Sequence, residues 1–219
     1  MTPVLLEWYG QRLWLSPGRC LYWEEQKMLV LSDVHIGKAA HFRKAGIAIP
    51  QQVFQEDLMR LFQQIHFFKP ERILVTGDLF HSTANAEHDW FARWRETLGK
   101  TRVMLVRGNH EILHDDAYEQ LGIEVVGSML ACGPFCFSHD QTSENPADTY
   151  LFCGHLHPGI RISGRGKQSV VLPCFHFTPQ VGIMPAFSQF SGKHLIECKK
   201  EDQVFAIVDG EKMPSIVRV

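Results

Sequence analysis

The sequence predicts an α/β sandwich: two mixed β-sheets packed face to face and flanked by helices. Two observations carry this. Between Lys27 and Val106 short apolar runs alternate with helical stretches, and after about Gly122 the chain breaks into short strands. Strand, helix, strand, helix, strand requires parallel crossovers in a sheet covered on its faces. The strand-rich half then supplies a second sheet. No repeat, low-complexity tract or Pro/Ser-rich linker divides the two, so one domain over residues 1–219 is expected.

The elements follow in order. KMLVL (Lys27 to Leu31) is a short continuous apolar run, the pattern of a buried strand. Pro50 opens a helix, QQVFQEDLMRLFQQIHFF, in which Phe54, Leu58, Leu61, Phe62 and Ile65 recur on one face. RILVT (Arg72 to Thr76) is a second strand. Asn85 to Leu98 forms a helix with Trp90, Phe91, Trp94 and Leu98 toward the core, and RVMLV (Arg102 to Val106) is a third strand. IEVV, SMLA, FCFSH, YLFCGH, SVVL, KHLIE and VFAIV are the later strands, most of them parted by Gly- or Pro-bearing turns. Trp8, Trp14 and Trp23 fall in a strand-like N-terminal region as packing or sheet-edge residues.

With 45% hydrophobic residues in 219, the chain can build a sizeable core. Its 22 Lys and Arg against 24 Asp and Glu exclude a global affinity for polyanions, so local charge matters more. Thr149 to Ile196 contains no acidic residue but includes Arg161, Arg165, Lys167 and Lys193, whereas Glu111 to Glu124 holds five acids and neither Lys nor Arg. The start, MTPVLLEWYGQRLWL, carries Glu7 and Arg12 and no uninterrupted apolar core. No run approaches the roughly 18 apolar residues of a spanning helix. A cytoplasmic protein with reduced thiols and no membrane contact is expected. Cys132 and Cys136 have no second pair at zinc-ribbon spacing, which favours buried free thiols over a zinc site.

The chemistry-bearing residues follow apolar strands, where open α/β sheets place ligands. Asp33 and His35 follow the first strand, Asp78 the second, and Asn109 and His110 the third; His139 ends FCFSH, and His155 and His157 end YLFCGHLH. Five strand ends thus bring two carboxylates, one amide and five imidazoles. Each has a bland reading alone, as a turn residue, a cap or a hydrogen-bonded histidine. Together they are the inventory of a two-metal centre. Two divalent ions about 3.5–4 Å apart require an anion between them. Asp78 is the expected bridge, with Asp33, His35 and His157 completing one ion and Asn109, His139 and His155 the other. Oxygen and nitrogen ligands without thiolate suit Mn, Fe, Zn or Ni. His110 is not needed as a ligand and is a candidate general acid for a leaving oxygen.

With DVH, GD, GNHE, a later His and GHLH in order, the chain resembles the calcineurin-like metallophosphoesterase superfamily. The resemblance implies a four-layer sandwich and a dinuclear centre whose activated hydroxide attacks phosphorus, with Asn109 and His110 as catalytic residues of the GNH motif. SDVHIGKAAHFRKAGIAIP, GDLFHS, VRGNHE, GHLHPG, LPCF and MPAFSQFSG are similar to the bacterial ligase-associated metallophosphoesterases. That likeness implies two manganese ions, single-stranded DNA as substrate, endonuclease activity and a role in DNA repair. It also implies functional association with an ATP-dependent DNA ligase, a helicase and an exonuclease.

Lys38, His41, Arg43 and Lys44 follow the Asp33/His35 pair, and Arg161, Arg165 and Lys167 follow His157. Two basic clusters beside a cationic centre would form a groove for a phosphate backbone, although RISGRGK also reads as an ordinary hairpin turn. His81 is a further candidate for a substrate phosphate. Phe187 and Phe190 are better placed than the tryptophans to stack on bases, with core packing the simpler reading. The alternative function is a phosphomonoesterase or nucleotide hydrolase on the same centre. A binding scaffold without catalysis is disfavoured because no candidate ligand is missing.

Overall fold

The computed structural model describes residues 2–44, 46, 52–81, 86–109, 111, 113–141, 146, 148–164, 166, 168–209 and 214–219. The candidate site residues His110 and Arg165, together with Pro50 and Lys167, lie outside them, as do the side chains of His41, Lys44 and Phe54.

The first sheet has seven strands in chain order: β1 (Val4–Trp8), β2 (Gln11–Ser16), β3 (Cys20–Trp23), β4 (Met28–Leu31), β5 (Arg72–Thr76), β6 (Arg102–Val106) and β7 (Ile123–Val125). β1 to β4 form an antiparallel meander, while β4 to β7 run parallel. Tight turns can join the antiparallel strands, but the parallel ones need helical crossovers. These are α2 (Gln52–Phe68), α3 (Ala86–Thr97) and α4 (Asp115–Gln120); a short helix, α1 (Lys38–Lys44), precedes α2.

The second sheet is also mixed. Its main path joins β14 (His194–Leu195), β11 (Pro158–Ser163), β12 (Ser169–Phe177), β13 (Val181–Ile183), β10 (Tyr150–Cys153), β9 (Phe135–Ser138) and β8 (Met129–Cys132). β15 (Gln203–Val208) pairs with β12 and with β16 (Ser215–Arg218). β9 and β10 are parallel neighbours, which sends their C-terminal ends the same way.

The sheets pack face to face. Leu13, Leu15, Trp23, Val30, Leu74 and Val106 from the first share one cluster with Phe135, Phe137, Phe152, Phe175, Phe177 and Ile207 from the second. Aromatic rings dominate the second sheet's contribution, and Trp23 meets Phe135 edge to face at 4.8 Å. Alternation along each strand sends Leu29, Leu31, Ile73, Val75, Val103 and Leu105 to the opposite face, where Leu61, Phe91 and Tyr118 cover them. Two helix expectations need correction. Phe62 and Trp90 are each 50% exposed, because one residue along a helix turns the side chain about 100° away from the buried Leu61 and Phe91. All six cysteines are free, and no candidate metal group among the described residues contains one.

Candidate metal centre

Every described residue of the expected ligand set sits just beyond the C-terminal end of a strand. Asp33 and His35 follow β4, Asp78 follows β5 and Asn109 follows β6, while His139 follows β9 and His155 and His157 follow β10. The first sheet therefore supplies four and the second sheet three. The loops are stitched together: His35 N–H donates to Asp78 O at 2.9 Å, and Gly154 N–H to His139 O at 3.0 Å. Asp33, His35, Asp78, His155 and His157 all have positive φ, between 48° and 63°. Non-glycine residues rarely hold that conformation unless their surroundings impose it, and such strain clusters at functional sites.

The side chains form two joined groups. Asp33 Oδ1 is 3.1 Å from His157 Nε2 and 4.0 Å from His35 Nε2. His139 Nε2 is 3.0 Å from Asn109 Oδ1, 3.2 Å from His155 Nδ1 and 3.5 Å from Asp78 Oδ1. The other Asp78 oxygen, Oδ2, faces His35 Nδ1 at 3.9 Å, so this carboxylate spans both groups. Potential donor atoms of Asp33, His35 and His157 lie within 4.8 Å of one another, as do those of Asp33, Asp78 and His139.

Three glycines make this convergence sterically possible. A Cβ on Gly77 would run into the His139 ring, and one on Gly108 into Asp78 Oδ1. A Cβ on Gly154 would meet Ser32 Oγ and lie 2.5 Å from Asp33 Oδ2. The glycines of GD, GN and GH are thus contact requirements of the cluster.

Hydrogen bonds outside the cluster decide which atoms face inward. His139 Nδ1 donates to Thr76 O at 3.0 Å, since a carbonyl can only accept, and this turns Nε2 toward Asn109 and Asp78. Asp33 Oδ2 accepts from Ser32 Oγ at 2.5 Å and from the His155 N–H at 3.0 Å. Asp33 Oδ1, also buried, accepts no hydrogen bond among the described residues. His155 Nε2 lies 3.5 Å from Asp140 Oδ1. The sequence reading missed Ser32 and Asp140, each one residue from a named candidate. Only their adjacency to Asp33 and His139 could have flagged them.

Asp33 and Asp78 are 0% and 1% exposed, and two converging buried carboxylates require counter-charge. Burial opposes ionisation of Asp33, but His157 and Ser32 hold its pKa below the ordinary value. Burial likewise disfavours the charged form of His139, yet Asp78 and Asp33 raise it to about 9. His35 is pushed down to about 3 by burial and by Lys38. A site that raises one imidazole between two carboxylates while keeping another neutral suits cations held by oxygen and nitrogen donors. The residues present fit two divalent ions.

The remaining candidates are dispersed. Lys38 is half-buried at the start of α1; burial lowers its pKa, and Asp33 and Asp78 oppose that shift. Arg43 lies farther along α1, and His81 packs edge-on against His35 with ring centres 5.4 Å apart. Arg161 is exposed on β11, four residues beyond His157, in a hairpin closed by Gly164 N–H to Gln168 O. Phe187 is 0% exposed beneath the Arg60 guanidinium and belongs to the core. Both Glu111 oxygens are engaged, Oε1 with Leu79 N–H at 2.5 Å and Oε2 with the Tyr118 hydroxyl, so Glu111 braces the Asp78 loop.

The calcineurin-like phosphoesterase family model matches residues 26–157, the span from β4 to the last candidate ligand. The solved nuclease MPE of Pseudomonas putida is 28% identical, with 94% of this chain and 96% of that one covered and a TM-score of 0.80. The phosphoesterase Yfce of E. coli is 14% identical, with 81% of this chain and 86% of that one covered and a TM-score of 0.45. Comparison with curated proteins returns no match. The dinuclear centre typical of the matched family accounts for the cluster of strand-end aspartates and histidines. The chain belongs to the calcineurin-like phosphoesterases and is a metal-dependent hydrolase of phosphate esters.

Proposed function

We propose that this enzyme is a manganese-dependent endonuclease that cuts single-stranded DNA, working in cytoplasmic DNA repair. The likeness over 94% of the chain to a nuclease is the observation that most supports this reading. Asp33, His35 and His157 would hold one ion and Asn109, His139 and His155 the other, with Asp78 between them. Bound there, the ions would supply Lewis acidity toward the phosphate and toward the attacking water. The chain's own part is orientation and proton transfer. The Thr76 carbonyl fixes the His139 tautomer, and the Ser32 hydroxyl and His155 N–H fix Asp33. His110, next to Asn109, is assigned the proton for the departing oxygen.

Lys38 supports a polyanionic substrate, because it is a half-buried cation close enough to interact electrostatically with Asp33 and Asp78. The acid-free stretch Thr149 to Ile196 adds basic residues, with Lys193 beside Gly159. His81, beside His35, and Arg43, Arg161 and Arg165 are assigned to backbone phosphates. By family resemblance the enzyme would act alongside an ATP-dependent ligase, a helicase and an exonuclease.

The test is manganese-dependent cleavage of a closed circular single-stranded DNA, with Asp78→Ala as blank. Linear product from the intact enzyme alone supports the endonuclease. Survival of the circle together with hydrolysis of a simple monoester would replace this reading with a phosphomonoesterase on the same centre.

A further inference from the structure

The segment from Phe187 to His194 spans one half of the metal cluster and is fixed at both ends. At one end Phe187 N–H donates to Ser32 O at 2.8 Å and Ser188 N–H to Asp33 O at 3.1 Å; at the other, His194 N–H donates to His157 O at 3.0 Å. Asp33 and His157 belong to the same group of potential ligands. Phe190 stands between the two tethers.

Its neighbours are anchored unusually firmly for a loop. Arg60 donates to Phe187 O and lies 4.5 Å over the Phe187 ring. Asp57, paired with Arg60, accepts the Gln189 N–H at 3.2 Å. Arg19, only 8% exposed, donates to Ser188 O at 3.3 Å, and Phe190 N–H donates to Ser188 Oγ at 3.2 Å. Guanidinium groups withdrawn from water are costly unless paired; buried Arg19 pairs with Asp209 and half-buried Arg60 with Asp57, and both also donate to carbonyls of the strap. Phe187, inside the strap, is fully buried, while Phe190, three residues on, remains partly exposed.

Phe190 does not stand alone. Its ring meets that of Phe42 edge to face, with centres 5.4 Å apart, and Phe42 is also partly exposed. Phe42 lies on α1, the helix that begins three residues after His35. One ring is therefore carried by the helix that follows Asp33 and His35, and the other by the strap hydrogen-bonded to Asp33 and His157. A partly exposed aromatic pair on pre-ordered backbone beside a phosphate-binding centre is what an unpaired base needs for stacking, since every base has a π-face.

We propose that Phe42 and Phe190 form a nucleobase subsite, in which a base adjoining the scissile phosphate stacks while the phosphate lies at the cluster. This rests on the nucleic-acid reading above and adds a determinant of substrate class. The enzyme distinguishes a base-bearing diester from a bare one at this pair, before chemistry. Phe190 presents the stacking face, and Phe42 holds its ring edge-on.

The test uses the full-length, manganese-loaded enzyme with two substrates of equal length, oligothymidylate and an oligomer of abasic tetrahydrofuran residues. The intact enzyme should favour the base-bearing strand in kcat/KM by about 5- to 150-fold, mainly through KM. Phe190→Leu keeps apolar bulk but lacks a π-face, so that ratio should fall toward one. Phe190→Trp should restore it, and Phe42→Leu should lower it part of the way. Equal losses on both substrates would mean that the pair only supports the fold, and an unchanged ratio would mean that bases do not reach it; either result overturns the subsite. If the intact enzyme cut neither strand yet hydrolysed a small phosphodiester, the nucleic-acid reading would fail and the subsite with it.

Discussion

The His155 backbone N–H donates to Asp33 Oδ2 at 3.0 Å, so a residue of the second sheet orients a carboxylate of the first. Ser32 Oγ donates to the same oxygen at 2.5 Å, which leaves Asp33 Oδ1 as the oxygen facing His35 and His157. Ser32→Ala should therefore weaken metal binding by about 10- to 100-fold although the hydroxyl is turned away from the cluster. Calorimetric titration with manganese measures this. Unchanged affinity would mean that the His155 N–H suffices.

Asp78 divides its two oxygens between His139 and His35. Asp78→Ala should reduce turnover to background and lower the metal content from two ions per chain to one or fewer, read by elemental analysis after gel filtration. Full loading in that variant would rule out the bridge.

His110 should matter in proportion to how poor the leaving group is. His110→Ala is expected to keep both ions and to lose about 10²–10⁴-fold on an alkyl phosphodiester. Its loss on a nitrophenyl ester should be much smaller. Equal losses on the two would assign His110 to phosphate binding instead of proton donation.

Away from the centre, buried His176 lies 2.8 Å from Asp202. Burial opposes the Asp202 charge, but the Lys199 N–H and His176 hold its pKa below the ordinary value. A depressed carboxyl contributes stability above its unfolded pKa of about 3.9 and loses it as the pH falls through the folded value. Asp202→Asn should thus lower the urea midpoint at pH 7, and the gap to the unaltered protein should narrow below about pH 4. A gap of constant size across that range would mean that the pair contributes packing alone.

The strands that carry the candidate ligands were readable because they are fully buried. RILVT and RVMLV match β5 and β6 residue for residue, since parallel strands covered on both faces show as unbroken apolar runs. β13, buried but only three residues long and centred on a glycine, and the largely exposed β16 show no such run. Helix faces were legible only to within one residue, which is why Phe62 and Trp90 were placed inward. The described ligand candidates lay in the sequence because each sits next to a strand end. Their supports did not: the Thr76 carbonyl has no side-chain signature, and Ser32 resembles any serine before an aspartate. The strap over the first group was invisible for a related reason. Nothing in MPAFSQF tells that Arg19, Asp57 and Arg60, far away in sequence, will hold it.

Because Asp33, His35, Asp78 and Asn109 come from one sheet and His139, His155 and His157 from the other, the cluster lies on the seam between them. Ions seated there would rivet two halves already joined by apolar packing and by hydrogen bonds such as His155 N–H to Asp33 Oδ2. Loading and unfolding are then thermodynamically linked: manganese at 100 times its dissociation constant should add about 2.7 kcal/mol per bound ion to the cooperative unfolding of the whole sandwich. Conversely, a cavity cut at Phe135 or Phe152, deep between the sheets and remote in sequence from every candidate ligand but the nearby histidines, would surface as poorer metal retention. Catalytic competence in such an enzyme is a gauge of how well its two halves mate.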